Sequence, residues 1–229
     1  MKIYAHRGYS QKFPEGTKTA YLEAIKAGAD GFECDVRMTR DKKIVCFHDR
    51  TLKRIVNKTH SIAKSSLSEL KVIIDILTLE ELLEIAIESK RDLLIETKHP
   101  VRSRGEIEKA VVALLESKRA EIKAAGIEII VMSFSYLAVH RLRKIYPNVM
   151  KVVKYRIALW VNTDSQVAVN KNVVVRSKTA MRKLHARRVF MWTVNDESDL
   201  QTIKQYADIN VITDAVEKAK RTLKPTASI

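Results

Sequence analysis

Apolar and polar positions along the chain fall into short runs of two kinds. Strand-like apolar or alternating runs occupy 3–6, 31–38, 92–97, 127–133, 149–154, 172–176, 188–194 and 209–213. Between them lie segments with helical spacing, such as TKTAYLEAIKAGA (17–29) and SKTAMRKLHAR (177–187). At 106–118, Ile107, Ala110, Val111, Leu114 and Leu115 recur three and four apart, which predicts a helix with one apolar face lying on a sheet. The pattern is eight strand-then-helix units. Eight such units in 229 residues predict an α/β chain folded as a (β/α)8 TIM barrel, since open doubly wound sheets usually have fewer strands. The length suits a single domain covering residues 1–229.

One run breaks the alternation. KIVCFHD (43–49) follows the second strand after only the turn Arg40-Asp41-Lys42-Lys43. Parallel neighbours need a crossover of a dozen or more residues, so this connection predicts an antiparallel β-hairpin, followed by a short insertion, on the second βα loop. The return of the chain sets the region of His48 opposite that of Asp35.

The candidate chemistry follows from strand parity. Residues two apart on a strand share a face, so Glu33 and Asp35 point together, as do Glu96 and Lys98. Barrel active sites are assembled at the C-terminal ends of strands, where these residues lie and where the first strand ends on His6-Arg7-Gly8. Glu33, Asp35 and Glu96 make an all-oxygen set suited to a hard divalent cation, Mg²⁺ or Ca²⁺, and not to a soft metal. The competing explanation is that the acids merely pair with Arg7 and Lys98. His6 and His48 titrate near neutrality, so one can accept a proton from an attacking hydroxyl while the other donates to a leaving oxygen. Arg7 and Lys98 would add positive charge at a phosphoryl group. His60, His140 and His185 are expected at the surface, and His99 near the rim.

Composition narrows the picture further. The chain is 46% hydrophobic, with no apolar run long enough to span a bilayer. The N-terminus lacks the apolar core of a signal peptide, and a cytoplasmic location is expected. Cys34 and Cys46 fall inside strand-like runs and are expected as buried thiols. Forty-two Lys and Arg against 27 Asp and Glu give a net charge of +15, spread along the chain. That charge favours phosphates and permits peripheral membrane contact. No nucleic-acid-reading motif or basic amphipathic arm accompanies it, so no nucleic acid partner is expected.

The motifs AHRG (5–8), FPEGT (13–17), GADGFECDV (28–36), TRDKKIVCFHDRTLKR (39–54), TLEELLE (78–84), LLIETK (93–98), MSF (132–134), MWTVN (191–195) and VITD (211–214) together resemble the glycerophosphodiester phosphodiesterase family. The resemblance runs through nearly the whole chain. It implies a (β/α)8 barrel that uses a divalent cation, Mn²⁺ also being admissible, to hydrolyse small glycerophosphodiesters to glycerol 3-phosphate and an alcohol. It makes His6 and His48 the acid–base pair and Glu33, Asp35 and Glu96 the metal ligands. Arg7 and Lys98 would bind phosphate, and Trp192 would wall the pocket or pack in the core. Gly16 stands where the family usually has Asn, and Glu15 is a further candidate at the metal. The segment 55–77, which shapes the pocket mouth in the family, is short and poor in glycine. Two other readings compete: a phospholipase D-like lyase that forms a cyclic phosphate, and a non-catalytic basic barrel that binds phosphate or lipid.

Overall fold

The computed structural model describes residues 1–99, 105–162, 164–175, 177–185, 187–206 and 208–223. Its strands are β1 (Ile3–His6), β2 (Gly31–Met38), β3 (Ile44–Cys46), β4 (Asp92–Thr97), β5 (Ile129–Ser133), β6 (Val149–Val153), β7 (Gln166–Asn170), β8 (Arg188–Trp192) and β9 (Ile209–Thr213). Its helices are α1 (Lys18–Lys26), α2 (Lys53–Val56), α3 (Leu67–Ile73), α4 (Leu79–Ser89), α5 (Glu106–Ser117), α6 (Arg119–Ala125), α7 (Tyr136–Leu142), α8 (Arg156–Val161), α9 (Lys171–Val174), α10 (Lys178–Leu184), α11 (Glu197–Lys204) and α12 (Val216–Leu223).

Eight parallel strands run in the order β1-β9-β8-β7-β6-β5-β4-β2, and pairing of β1 with β2 closes the ring. The expected barrel is present. Strand parity sorts the side chains: Tyr4, Leu94, Ile130, Met150, Ala168 and Phe190 fill the barrel interior. Their sequence neighbours, among them Ile3, Leu93, Ile95, Val131, Val167 and Val189, pack outward under the helices. Side chains at helix starts pin the βα turns. Thr17 caps α1, accepting from the Ala20 amide, and Ser66 with Glu69 and Thr78 with Glu81 form capping boxes on α3 and α4.

β3 is the expected hairpin arm, antiparallel to β2 with Val36 opposite Cys46 and Met38 opposite Ile44. The following insertion, α2, a 3-10 turn (Ile62–Lys64) and α3, folds over the arm and buries Val45, Leu52, Ile62, Leu70 and Ile76 in a small core of its own.

One expected strand is misplaced. The run at 172–176 was read as the sixth barrel strand, but that place is taken by QVAVN (166–170), and residues 171–174 form α9. Residue 176 lies outside the described residues. Val167 and Val169 face the outer core and Ala168 the interior. Asn170 ends the strand by capping α9, its Oδ1 accepting from the Asn172 amide at 2.9 Å. The β-branched run 173–175 suggests a strand only through propensity, which position in the barrel overrides. Strand ends also differ slightly from expectation: β5 starts at Ile129, β6 stops at Val153 and β8 at Trp192.

Gly31 makes room at the base of the barrel. A Cβ there would lie 2.6 Å from the Tyr4 ring and 2.7 Å from the Asp92 carbonyl oxygen. Gly31→Ala is therefore expected to lower stability by about 1–3 kcal/mol, the usual range for overpacking a filled core. Urea unfolding measures this, and a variant as stable as wild type would show that Tyr4 can move aside freely.

Candidate active site

Inward-facing positions at the strand ends meet by register. His6 pairs across the sheet with Glu33, and Asp35 with Glu96. Three carboxylates thus converge, with oxygens of Glu33, Asp35 and Glu96 all within 4.8 Å of one another and all three residues buried. After β1 the chain turns sharply: Arg7 and Gly8 both have positive φ, 57° and 82°. A Cβ on Gly8 would lie 2.7 Å from Ala20, so only glycine fits. The turn brings the Arg7 guanidinium back against the acids. Its Nε lies 2.7 Å from Asp35 Oδ2, a charge contact whose N–H axis points elsewhere, so neither atom is hydrogen-bonded. Lys98 reaches Glu96 at 2.7 Å and Asp35 at 3.1 Å. The hairpin delivers His48: the Phe47 amide donates to the Asp35 carbonyl at 2.8 Å, and Arg37 Nε donates to the His48 carbonyl at 2.9 Å.

Burial and charge act against each other on these groups. Burial and the neighbouring Asp35 charge push the Glu33 carboxyl well up, with Arg7 offsetting part of the rise. The same burial and Asp35 raise Glu96 to about 8, against Lys98. At Asp35 burial also pushes upward, but Arg7 and Lys98 outweigh it and hold the carboxyl below its ordinary range. Burial lowers His48; Asp35 opposes this, while Arg7 and Lys98 add to it.

Both histidines are oriented by carboxylates that the motifs did not single out. His6 Nδ1 lies 2.6 Å from Asp214 Oδ1, and His48 Nδ1 lies 2.7 Å from Asp49 Oδ1. A carboxylate only accepts, so each Nδ1 carries the proton and each Nε2 is left for the site. His6 Nε2 is 3.8 Å from Glu33 Oε2. Asp214 is itself held by Ser10 and by Asn195, whose Nδ2 donates at 2.6 Å, and its hydrogen bond to His6 lowers it to about 2 despite burial. Parity held the signal: Ile212 faces the interior, so Asp214 of VITD is the next inward position. Arg54 clamps Asp49 and Glu15 together, and Glu15 also accepts from Arg7 at 3.1 Å. Glu15, a candidate at the metal, thus stands in an arginine network.

Comparison with known proteins decides the family. Residues 6–218 match the glycerophosphoryl diester phosphodiesterase family. The chain belongs to that family. A Mycobacterium tuberculosis protein named "Probable glycerophosphodiester phosphodiesterase 1" is 31% identical, over 89% of this chain and 85% of its own. The structure of a Thermotoga maritima glycerophosphodiester phosphodiesterase superposes with a TM-score of 0.78 at 27% identity, covering 95% of this chain and 96% of that one. An Oleispira antarctica phosphodiesterase, solved in complex with the product sn-glycerol-3-phosphate, shares the fold with a TM-score of 0.79 at 24% identity, covering 97% and 96%.

In this member of the phosphodiesterase family the acids, both histidines, Arg7 and Lys98 surround one end of the barrel. His6, Arg7, Glu33, His48, Glu96 and Lys98 line a pocket of about 370 Å³, large enough for a small diester. Trp192 serves both readings made for it: it lines the pocket and packs edge-on to Phe134, ring centroids 5.4 Å apart. Lys154, which no motif marked, lines the opposite strand end on the turn after β6. His99 also reaches the pocket, with its Nε2 3.5 Å from the buried Glu108, whereas His60, His140 and His185 are exposed as expected. Gly16 has φ 73°, a left-handed conformation that Asn also tolerates, and a Cβ there would lie 3.2 Å from the Cys46 carbonyl oxygen.

The residues fit a hard divalent cation. Glu33 Oε2 and Asp35 Oδ2 are buried without a hydrogen-bond partner, and the donor set is oxygen throughout. With the cation chelated, Glu96 binds its proton more tightly folded, at about 8, than its ordinary 4.5. That contribution to stability is complete below the ordinary value and is lost as pH rises through the folded one. In excess chelator, Glu96→Gln should therefore gain stability relative to wild type as pH rises from about 4.5 to 8. Paired urea titrations across this window test it, and a difference that stays flat would reject it.

Proposed function

We propose that the protein is a divalent-cation-dependent hydrolase that converts small, water-soluble glycerophosphodiesters to glycerol 3-phosphate and an alcohol. The observation that carries this reading is two histidines, each held at Nδ1 by a carboxylate, lining one pocket with Glu33 and Glu96 of the three-acid cluster. Membership of the family and the names of its relatives support the reaction class.

Glu33, Asp35 and Glu96 would hold the cation, Mg²⁺, Ca²⁺ or Mn²⁺, which when bound neutralises charge on a phosphoryl oxygen. Arg7 and Lys98 bind the other phosphate oxygens, and Trp192 with Phe134 walls the substrate. His6 Nε2 takes the proton of the glycerol hydroxyl beside the phosphorus. That oxygen attacks phosphorus, and protonated His48 gives its proton to the departing alcohol. In a second step His48 takes a proton from water, the resulting oxygen opens the five-membered cyclic phosphate, and His6 returns its proton to the glycerol oxygen. Asp214 and Asp49 keep both rings in the tautomer that these transfers need.

We place the protein in the cytoplasm, in keeping with its free, buried Cys34 and Cys46. No helix among the described residues is long and apolar enough to cross a membrane.

Glycerol 3-phosphate release from a panel of glycerophosphodiesters should stop with a chelator and return with Mg²⁺, Ca²⁺ or Mn²⁺. Full activity in excess chelator would remove the metal assignment. His6→Ala and His48→Ala should each lower kcat by at least about 10²-fold without unfolding the chain, and their effects should not add. Single variants with near wild-type kcat would leave the non-catalytic barrel as the better account. Phosphorus NMR during turnover separates hydrolase from lyase, because a cyclic phosphate that accumulates as the end product belongs to the lyase.

A further inference from the structure

Isolated apolar side chains are normal on protein surfaces, but a contiguous group calls for an explanation. Nine large apolar side chains are exposed among the described residues, and four of them sit on two consecutive βα turns. Tyr136 and Leu137 open α7, and Tyr155 and Ile157 lie where the chain enters α8. Their exposures are 55%, 70%, 64% and 75%, high for side chains of this size. β5 and β6, which feed these turns, are paired neighbours in the barrel. Phe134 and Lys154, adjacent in sequence to the group, line the pocket. The four side chains therefore stand beside the pocket mouth.

Residues 134–162, which carry this ridge, include basic side chains and no acidic one, although Asp164 and Glu96 act on Lys151 from beyond it. Neither α7 nor α8 has an acidic residue in its first turn. Lys154 and Arg156 are exposed there. Lys154 Nζ lies 5.6 Å from the centre of the Tyr155 ring, whereas Lys151, 4.3 Å from that of Tyr136, is buried and donates to the Phe134 carbonyl. Tyr155 is thus paired with an exposed ammonium, the combination found where an aromatic ring sits at the level of lipid headgroups and a lysine reaches phosphates. The chain as a whole carries +15.

We infer that the ridge Tyr136, Leu137, Tyr155 and Ile157 docks the barrel on an anionic phospholipid bilayer, with Leu137 and Ile157 entering the headgroup boundary and Lys154 and Arg156 facing lipid phosphates. Charge complementarity selects this occupant: a cationic rim around apolar side chains matches an anionic surface with an apolar interior. Docking in this way points the pocket mouth at the bilayer. The docking surface stands independently of the catalytic roles given above.

Co-sedimentation with vesicles tests the inference. The full chain should bind vesicles of equal parts phosphatidylglycerol and phosphatidylcholine, bind pure phosphatidylcholine far less, and lose affinity as salt rises. The double variant Leu137→Ser/Ile157→Ser should bind the anionic vesicles at least about tenfold more weakly, given the apolar area removed. Leu22→Ser, on the outside of α1, should bind as wild type. Circular dichroism and unchanged hydrolysis of glycerophosphocholine without vesicles would show that the double variant is folded. No binding to anionic vesicles would overturn the inference, as would equal binding to both vesicle types or undiminished binding by the double variant. Concentration-dependent self-association that the double variant loses, without vesicle binding, would assign the ridge to a second copy of this chain instead.

Discussion

The convergence of Glu33, Asp35 and Glu96 governs the rest of this structure. Registers that place His6 opposite Glu33 and Asp35 opposite Glu96 force three carboxylates into one buried space. Like charges there are unfavourable unless compensated, and Arg7 and Lys98 provide only part of that compensation. The raised carboxyls of Glu33 and Glu96 express the remainder. On the reading proposed above, a substrate phosphate competes with Asp35 for both cationic side chains. Binding it would strip the acids of their counter-charge unless a divalent cation were already there. Cation and substrate binding are then coupled by electrostatics alone, with no movement of the chain required.

Support for this cluster comes from outside the barrel. His48 sits on an arm of only three strand residues, too short to be rigid by itself. The small core of Val45, Leu52, Ile62, Leu70 and Ile76 stiffens it. An ionic chain then runs from Asp49 through Arg54 and Glu15 to Arg7 and on to Asp35. The group that orients His48 and the cation that holds Asp35 therefore belong to one network. Such a network fixes geometry more than it adds stability, since several of its members are partly exposed.

What could be read from the sequence followed from parity and spacing. Barrel class rests on the count of strand-helix units, the hairpin on the short turn after β2, and the pairing of Glu33 with Asp35 and of Glu96 with Lys98 on the two-residue repeat of strands, which the structure obeys. β7, the sixth barrel strand, was missed because Val173, Val174 and Val175 look more strand-like than the short QVAVN, whose place depends on its neighbours in the ring. Asp214 and Asp49 were legible only in part. Asp49 follows His48 directly, and Asp214 has the inward parity of Ile212, yet nothing local says that either carboxylate meets an imidazole nitrogen. Lys154 and the role of Glu15 depend on side-chain direction across loops, which no periodicity encodes.

The two ends of the barrel show one electrostatic problem solved in two ways. At the end where the strands begin, Asp92 is matched by Lys2 and the Tyr4 hydroxyl, and Glu128 by Arg188. These two acids are each matched by a cation, so their charges serve to close the barrel. Where the strands end, three acids share two cations around a pocket open to solvent, and Glu33 Oε2 and Asp35 Oδ2 have no hydrogen-bond partner. A fold selected only for stability would have paired or replaced such groups, because apolar side chains of similar volume are often the more stable choice. This imbalance lies at the end where two oriented histidines stand beside it. Buried carboxyls kept from ionising by want of counter-charge, next to proton-transferring groups, are what a hard cation and an anionic phosphate satisfy together.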